Sequence, residues 1–261
     1  MKISIVTPSF NQGPFIGDAI KSVLNQHFDD FEHIIIDGGS TDGTVEVLKS
    51  YPHLKWVSEP DEGQSDALNK GFLRATGDVI GWLNADDTYR PGTFREVARQ
   101  LADDRLDGVY GNLFFCDKEL NILKRKVSYM PIAPIALFRS YIPSETLFFK
   151  RRMLDRGVRV DEKLDITMDK DFVFSLLKHK GRMRYVNQDW ANFRLHETNK
   201  SNESKRVRSI TAAEGIRIIN KHFRMSLPVN RYTMGSYRAM QHAMAYPGWL
   251  LKAYNRMSMP R

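Results

Sequence analysis

The alternation of short β-rich runs with helical patterns over the first 115 residues constrains the fold most strongly. Five runs have the length and composition of strands, and they cover residues 3–7, 33–37, 55–58, 79–84 and 108–114. Apolar residues recur at helical spacing from Phe15 to Leu24. Further helices are predicted over 44–51, 65–75 and 93–101. This order predicts βαβ units around a mostly parallel sheet.

The pattern becomes less regular after residue 115. A hairpin is predicted over 118–128, and a loop region punctuated by Pro131, Pro134 and Pro143 follows it. Helices are predicted near Arg151 and over 169–180, and short strands over 185–187 and 191–195. The sequence therefore predicts one α/β unit over residues 1–203 and a helical tail over 204–261.

Composition favours a reducing compartment. The single cysteine, Cys116, cannot form an intrachain disulfide. The N-terminal run is too short for a signal-peptide core, and no uncharged apolar run approaches the ~20 residues that a spanning helix needs. We therefore expect a cytoplasmic protein that is soluble or peripheral to a membrane.

The tail carries most of the positive charge. The whole chain has a formal charge of +8, and residues 205–261 contain eleven Lys or Arg residues but one acid, Glu214. Tyrosine, methionine and Trp249 are interspersed among these cations. This composition suits an anionic partner such as a membrane surface or a nucleic acid. Packing of the same residues against the α/β unit or a second subunit is an equally good alternative.

Polar residues follow four of the predicted strands. Because ligands bind outside the carboxyl ends of strands in an open parallel sheet, the segments after Thr7, Asp37, Ser58 and Asn84 should meet at one cleft. The paired glycines after Asp37 allow a close backbone approach. This segment matches neither the dinucleotide fingerprint nor the phosphate loop, which disfavours dehydrogenases and P-loop enzymes.

Adjacent carboxylates follow the fourth strand, in Leu83-Asn84-Ala85-Asp86-Asp87. Oxygen ligands of this kind suit Mg²⁺ or Mn²⁺, and a diphosphate can complete the coordination. The alternative is a strand-to-helix turn in which an aspartate caps the helix.

Taken together, these segments resemble the inverting, nucleotide-sugar-dependent glycosyltransferases of family 2, which have the GT-A fold. The resemblance covers most of residues 3–200. It depends on five motifs in the family's order, which are Thr7-Pro8-Ser9-Phe10-Asn11, Asp37-Gly38-Gly39-Ser40-Thr41-Asp42-Gly43-Thr44, the segment 59–71, Ala75-Thr76-Gly77-Asp78 and Leu83-Asn84-Ala85-Asp86-Asp87.

The resemblance implies an α/β fold of GT-A type, with a mostly parallel nucleotide-binding sheet flanked by helices and a basic helical C-terminal tail. It divides the catalytic domain, residues 1–203, into a donor half (1–115), which binds the nucleotide sugar, and an acceptor half (116–203). The tail comprises residues 204–261.

The resemblance also assigns donor-binding residues. Pro8, Ser9, Asn11 and Asp37 would line the nucleoside pocket, and Asp37 would accept a hydrogen bond from the uracil N3–H, which favours UDP. Two further residues, Asp66 and Asn69, would lie near the ribose or the transferred sugar.

The family's D-x-D element aligns with Asn84-Ala85-Asp86. Since Asn84 replaces the first acid, Asp86 is expected to be the principal ligand of a Mn²⁺ or Mg²⁺ ion. His196, in a late Arg-x-His segment, would bind the metal or a phosphate oxygen. Arg194 or Lys200 would offset phosphate charge.

Inversion needs a carboxylate that accepts the proton of the attacking hydroxyl. The resemblance assigns this role to Asp169, with Asp171 as a second candidate. Met168 replaces the acid that usually precedes the base. The alternative is that these acids merely stabilise a helix N-terminus.

The predicted function is thus metal-dependent transfer of a hexosyl or N-acetylhexosaminyl group from a UDP-sugar to a hydroxyl of a saccharide or lipid-linked saccharide, in cell-surface polysaccharide or glycolipid synthesis. The site of action would be the inner face of the membrane.

Several alternatives remain. A catalytically inactive nucleotide-sugar or saccharide binding protein would explain the acids missing at Asn84 and Met168. A nucleic-acid binder is disfavoured because only the basic tail suggests it. A nucleotidyltransferase would need a glycine-rich N-terminal loop, and a serine hydrolase would need a Gly-x-Ser-x-Gly turn; the sequence contains neither.

Overall fold

The structure is a computed structural model that describes residues 1–129, 142–200, 202 and 204–243. The strands are β1 (Ile3–Ser9), β2 (Phe31–Asp37), β3 (Lys55–Ser58), β4 (Val79–Trp82), β5 (Thr88–Tyr89), β6 (Gly108–Cys116), β7 (Ile122–Lys126), β8 (Leu147–Lys150) and β9 (Met183–Arg194). The helices are α1 (Gly13–Leu24), α2 (Thr44–Lys49), α3 (Gln64–Arg74), α4 (Thr93–Leu101), α5 (Arg152–Asp155), α6 (Met168–Lys178), α7 (Lys205–Phe223) and α8 (Arg231–Ala243), with one 3₁₀ turn at Ser144–Thr146.

A single sheet connects the two halves of the catalytic domain. Its strand order is β3-β2-β1-β4-β8-β6-β9-β5, and β7 pairs with β6. The first four strands of this order are parallel. Strand β8 runs antiparallel between β4 and β6, and β9 is parallel to β6. The predicted α/β fold class is confirmed, with parallel pairing among β3, β2, β1 and β4 and mixed pairing in the rest of the sheet.

Helices on both faces bury the parallel strands. Every residue of β1 is buried, as expected for a strand covered on two sides. Helix α1 buries one apolar stripe that includes Ile16 and Ile20. Helix α3 packs closely on the sheet at Gly71, where a Cβ atom would overlap the side chain of Val6. This close packing brings the N-terminus of α3 to the carboxyl edge of the sheet.

The end of the catalytic domain differs from the sequence prediction. The two short strands predicted over 185–187 and 191–195 are parts of one strand, β9. The chain stays extended between the two predicted segments because β9 pairs with β6 along its length, with register shifts near Asn112. Trp190 is 1% exposed and fixes this part of the strand in the core.

The first part of the tail packs against the catalytic domain. Ala212, Ile216 and Ile218 of α7 and Tyr237 of α8 belong to the same apolar cluster as Phe149 of β8. The boundary at residue 203 remains a prediction, but α7 contributes to the core beyond it. Within the ranges that the structure describes, no helix is both long and apolar enough to cross a membrane. Trp249, the rest of the tail after residue 243 and the predicted loop at Pro131 and Pro134 lie outside the described residues.

Candidate active site

A cleft of about 600 Å³ lies at the carboxyl ends of β1 and β4. Each of the four donor-half segments that were predicted to meet contributes to its lining, and residues of the acceptor half complete it. The residues that matter for the chemistry are Pro8, Ser9, Gln12, Asn84, Ala85, Asp86, Glu145 and Asp169. Six of these eight were predicted from the sequence; Gln12 and Glu145 were not.

Two polar atoms at the cleft are buried without a partner. Ser9 Oγ and Gln12 Oε1 form no hydrogen bond with any residue that the structure describes. Since an unsatisfied buried polar atom costs free energy, these atoms are suited to contact a polar ligand. Gln12 carried no signal in the sequence, because it lies in the turn between β1 and α1 and its orientation depends on the neighbouring loop.

Asp37 and Asn11 shape the neighbouring glycine-rich loop. Asp37 is fully buried, and its carboxylate accepts hydrogen bonds from the backbone N–H and Oγ of Ser40 and from Ser58 Oγ. Asn11 has a φ of 52° and accepts a hydrogen bond from the backbone N–H of Thr41. Neither residue lines the cleft. The predicted contact between Asp37 and a uracil base therefore stays a prediction, and the observed contacts are structural.

Asp66 and Asn69 also lie away from the cleft lining. Asp66 forms an ion pair with Lys70 and accepts a hydrogen bond from the backbone N–H of Glu62. Asn69 exchanges two hydrogen bonds with the backbone of Val160. These contacts attach α3 to the segment that leads into the acceptor wall. Contact of either side chain with the donor stays a prediction.

All four hydrogen-bonding positions of Asn84 are used within the protein. Its Oδ1 accepts from Trp82 Nε1 at 2.9 Å and from Gln64 Nε2 at 3.0 Å. Its Nδ2 donates to Asp87 at 3.1 Å and to Glu145 at 3.0 Å. An amide has two positions that accept hydrogen bonds and two hydrogens that it can donate, so Asn84 has no free polar position for a nucleotide sugar. It shapes the wall of the cleft instead.

Asp86 and His196 lie together near the cleft. Nε2 of His196 is 3.0 Å from Oδ2 of Asp86, and Nδ1 of His196 is 2.9 Å from Thr198 Oγ1. The imidazole ring also packs on Phe15, with ring centroids 4.5 Å apart. Although His196 does not line the cleft, it touches the predicted metal ligand.

Asp86 and His196 supply part of the ligand set that a divalent cation needs. A carboxylate oxygen and an imidazole nitrogen side by side are ligands that Mn²⁺ accepts. Across the described part of the chain, however, no group of three His, Cys, Asp or Glu side chains could enclose a metal ion. A cation held here would therefore need oxygens from a bound diphosphate to complete its coordination.

Two buried carboxyl groups lie behind Asp86. Burial raises the pKa of Asp87 well above its ordinary value, and the neighbouring carboxyls of Asp86 and Glu145 add to the effect. Burial likewise raises the pKa of Glu145, and the nearby Asp169 acts in the same direction. Glu145 was missed in the sequence. It precedes β8, and only the pairing of β8 with β4 brings it to the cleft.

Asp169 lies in the first turn of α6 and lines the acceptor side of the cleft with Met168. Asp171, the second candidate base, is in a different position. It is fully buried, and its carboxylate lies 2.7 Å from Lys221 Nζ and 2.7 Å from His222 Nε2, both of α7. Asp171 does not line the cleft, so the structure leaves Asp169 as the candidate base.

Glu214 of α7 holds the loop before α6. Its carboxylate accepts hydrogen bonds from the backbone N–H groups of Asp165, Ile166 and Thr167, and from Thr167 Oγ1. The side chain is 2% exposed. Because backbone N–H groups at a helix N-terminus need acceptors, Glu214 acts as a cap supplied from another helix. The sequence gave no sign of this role.

The two predicted phosphate-binding cations differ in availability. Arg194 is 3% exposed; its guanidinium pairs with Asp18 and donates to the backbone oxygens of Asp86 and Lys118. Lys200 lines the cleft and forms an ion pair with Asp165 on its rim. Lys200 is therefore the better placed to meet a ligand.

The fold is of GT-A type, and the chain belongs to glycosyl transferase family 2. The model of that family matches residues 4–161, which is more than half of the chain.

Known relatives agree with this membership. An uncharacterised glycosyltransferase of Nostoc sp. is 26% identical over 214 residues, which are 76% of this chain and 66% of that protein. A chondroitin synthase of Escherichia coli is 26% identical over 204 residues, which are 76% of this chain and 30% of that protein. The chain spans less than two thirds of the length of the curated relatives that it matches.

Solved structures show the same fold. The S. aureus protein TarS (residues 1–349), in complex with UDP-GlcNAc, aligns with a TM-score of 0.65 and 16% identity over 85% of this chain and 73% of that chain. A mannosyltransferase from Pyrobaculum calidifontis, in complex with GDP-Man and Mn²⁺, aligns with the same score and identity over 100% of this chain and 76% of that chain.

Proposed function

We propose that this protein transfers a sugar, with inversion, from a nucleoside diphosphate donor to an acceptor hydroxyl. The observation that carries the proposal is the cleft itself. It is lined by Pro8, Ser9 and Asp86 of the donor half and by Asp169 of the acceptor half, which form its two walls. A nucleotide sugar between these walls would have its diphosphate beside Asp86 and its anomeric carbon facing an acceptor near Asp169.

Each wall has a distinct chemical task in this mechanism. Asp169 accepts the proton of the acceptor hydroxyl as the new bond forms. Asp86, together with His196, would hold a divalent cation, which stabilises charge on the departing diphosphate. The neighbour in complex with Mn²⁺ supports this choice of cofactor. Holding donor and acceptor in line lowers the entropic part of the barrier.

UDP is our preferred donor nucleotide, and the bound UDP-GlcNAc of TarS supports it. The neighbour that binds GDP-Man makes GDP the competing choice. The chondroitin synthase among the relatives supports a saccharide or lipid-linked saccharide as the acceptor, in polysaccharide synthesis.

We further propose that the tail contacts an anionic membrane surface from the cytoplasmic side. Exposed large apolar side chains alternate with Arg224, Arg231 and Arg238 there; they are Phe223, Met225, Val229, Tyr232 and Met240. Each cation near such a surface contributes about 1 kcal/mol. Cosedimentation with anionic vesicles, but not with neutral ones, is the expected result; equal recovery with both would contradict the proposal.

Calorimetric titration of UDP, GDP and CDP with and without Mn²⁺ tests the donor site. We expect Mn²⁺-dependent binding of UDP that is weakened at least about tenfold by Asp86→Ala, because the substitution removes a metal ligand. The matched control is Asp29→Ala, an exposed aspartate before β2, at the opposite edge of the sheet.

Turnover separates the enzyme from a binding protein. Purified protein with Mn²⁺, UDP-sugars and lipid-linked or free saccharides should release UDP and extend the acceptor. Tight nucleotide binding without transfer to any acceptor would favour the inactive binding protein. Absence of nucleotide binding under every condition would contradict both transfer and nucleotide-sugar binding.

A further inference from the structure

Asn84 occupies the position at which the family's metal motif usually has an acid, and its surroundings explain the amide. Its Nδ2 donates one hydrogen to Asp87 and the other to Glu145. Both partners are nearly inaccessible, with 1% and 4% of their surfaces exposed. A carboxylate at position 84 would have no hydrogen to donate and would add a third acid to this group.

The hydrogen bonds from Asn84 to Asp87 and Glu145, called the bridge below, join the two halves of the catalytic domain. Asn84 and Asp87 flank Asp86 in the turn after β4, whereas Glu145 belongs to the 3₁₀ turn before β8, 61 residues further along the chain. Glu145 also accepts a hydrogen bond from Ser144 Oγ at 3.0 Å. On the donor side, Gln64 and Trp82 fix the carbonyl oxygen of Asn84. The oxygen of the amide is thus held from the donor half, and its nitrogen connects Asp87 of the donor half to Glu145 of the acceptor half.

We propose that Asn84 and Glu145 are positioning residues that set the donor-side turn containing Asp86 against the acceptor wall that contains Asp169. The proposal rests on the proposed function. It explains why an amide replaces the acid at position 84 in an enzyme that is still active. Asn84 does not bind the metal in this account. It separates two buried acids and locks the turn that presents the metal ligand.

Exchanging the two groups tests the bridge. Asn84→Asp places three acids together, and we expect about a 100-fold loss in kcat because buried acceptors lose their donors. In the double variant Asn84→Asp/Glu145→Gln, the new glutamine amide can donate to the new aspartate, and the number of acids returns to two. This variant should recover at least about tenfold of the lost kcat. Full recovery is not expected, because Asp87 still loses the hydrogen bond from residue 84 and keeps the one from the backbone N–H of Arg194.

Two single substitutions at position 145 provide the matched controls. Glu145→Gln keeps a carbonyl oxygen for Asn84, whereas Glu145→Ala removes the acceptor, so kcat of the glutamine variant should exceed that of the alanine variant about tenfold. If Asn84→Asp fails to fold, the comparison of these two variants still tests the proposal. Equal turnover of the alanine and glutamine variants would overturn the proposal.

Thermal unfolding of the same variants gives a readout that does not depend on transfer. Asn84→Asp should lower the unfolding temperature, and the double variant should raise it again. The proposal is wrong if the double variant is no better than Asn84→Asp in stability and in turnover. It is also wrong if the Asn84→Asp enzyme is at least as active as the wild type. If the wild type binds no nucleotide while the stability pattern holds, the proposed function fails and the bridge stands as a structural contact only.

Discussion

The donor half and the acceptor half differ in how their cleft segments are held. In the donor half, loops follow parallel strands directly and are braced by residues of the same or the adjacent loop, as Asp37 braces Ser40. In the acceptor half, the loop before α6 is braced by Glu214, from a helix 47 to 49 residues further on. The donor side of the site is thus built from motifs of the donor half, whereas the acceptor side depends on a contact with Glu214 of the tail.

This difference separates donor binding from transfer. Loss of Asp169 or of Glu214 should leave nucleotide affinity intact, because the loops after β1 and β2 are braced by contacts within the donor half. Loss of the tail contact should affect transfer through the position of Asp169, without touching either the metal ligand or the nucleoside pocket.

Asp169→Asn should have the largest effect. An amide cannot accept the proton of the acceptor hydroxyl, so we expect kcat to fall about 1,000-fold, within the usual range for a lost general base. Nucleotide affinity measured by calorimetry should stay at the wild-type value. Asp165→Asn is the control, since Asp165 lines the same wall but pairs with Lys200 on its rim. Full activity of Asp169→Asn would remove Asp169 from the mechanism.

Glu214→Gln should have an intermediate effect. The amide keeps one acceptor oxygen but loses the charge that serves three backbone N–H groups, so the free energy of unfolding should fall by about 2–3 kcal/mol. We expect kcat to fall about tenfold with unchanged nucleotide affinity. Glu119→Gln, in the exposed turn after β6, is the control. A parallel fall in nucleotide affinity would show that the two halves are not separable in this way.

Glu32→Gln should have the smallest effect and no consequence for transfer. Burial alone would raise the pKa of Glu32, but hydrogen bonds from Lys55, Ser4 and Thr76 outweigh it and hold the pKa well below its ordinary value of 4.5. The carboxylate therefore stabilises the donor half above pH 4.5, and this contribution is lost as the pH falls below that value.

Urea unfolding at several pH values checks this prediction. The wild type should lose stability steeply below pH 4.5, and the Glu32→Gln variant should be less stable at neutral pH with a shallower decline in acid. Identical acid slopes for the two proteins would show that Glu32 is not the group responsible. Turnover at neutral pH should match the wild type, since Glu32 lies at the amino end of β2, away from the cleft.

The sequence predicted the donor half well because its signals are local. Strand β3 and helix α4 have the predicted bounds, since apolar spacing and turn residues lie within each element. The same locality placed Pro8, Ser9 and Asp86 at one cleft. It did not reveal that Asp37 and Asn11 turn towards the loop backbone, because the partners of a polar side chain depend on the packing of the neighbouring loop.

Contacts between distant residues account for what the sequence could not predict. Asn69 was expected at the donor, yet it bonds to Val160, 91 positions away. Glu145 reaches the cleft only through strand pairing, and Asp171 is taken up by α7 instead of facing an acceptor. Periodicity describes which face of an element is apolar, but it carries no information about which residue of another element will meet that face.

The position of Glu214 has a consequence for recombination between family members. The segment that matches the family model ends at residue 161, before both Asp169 and its brace. A hybrid whose crossover falls between α6 and α7 would separate the loop before α6 from the carboxylate that binds its backbone. Hybrids that fold and function should therefore take all residues from α6 to the end of α7 from the same parent protein. A gene fusion that replaces the tail must begin after Phe223.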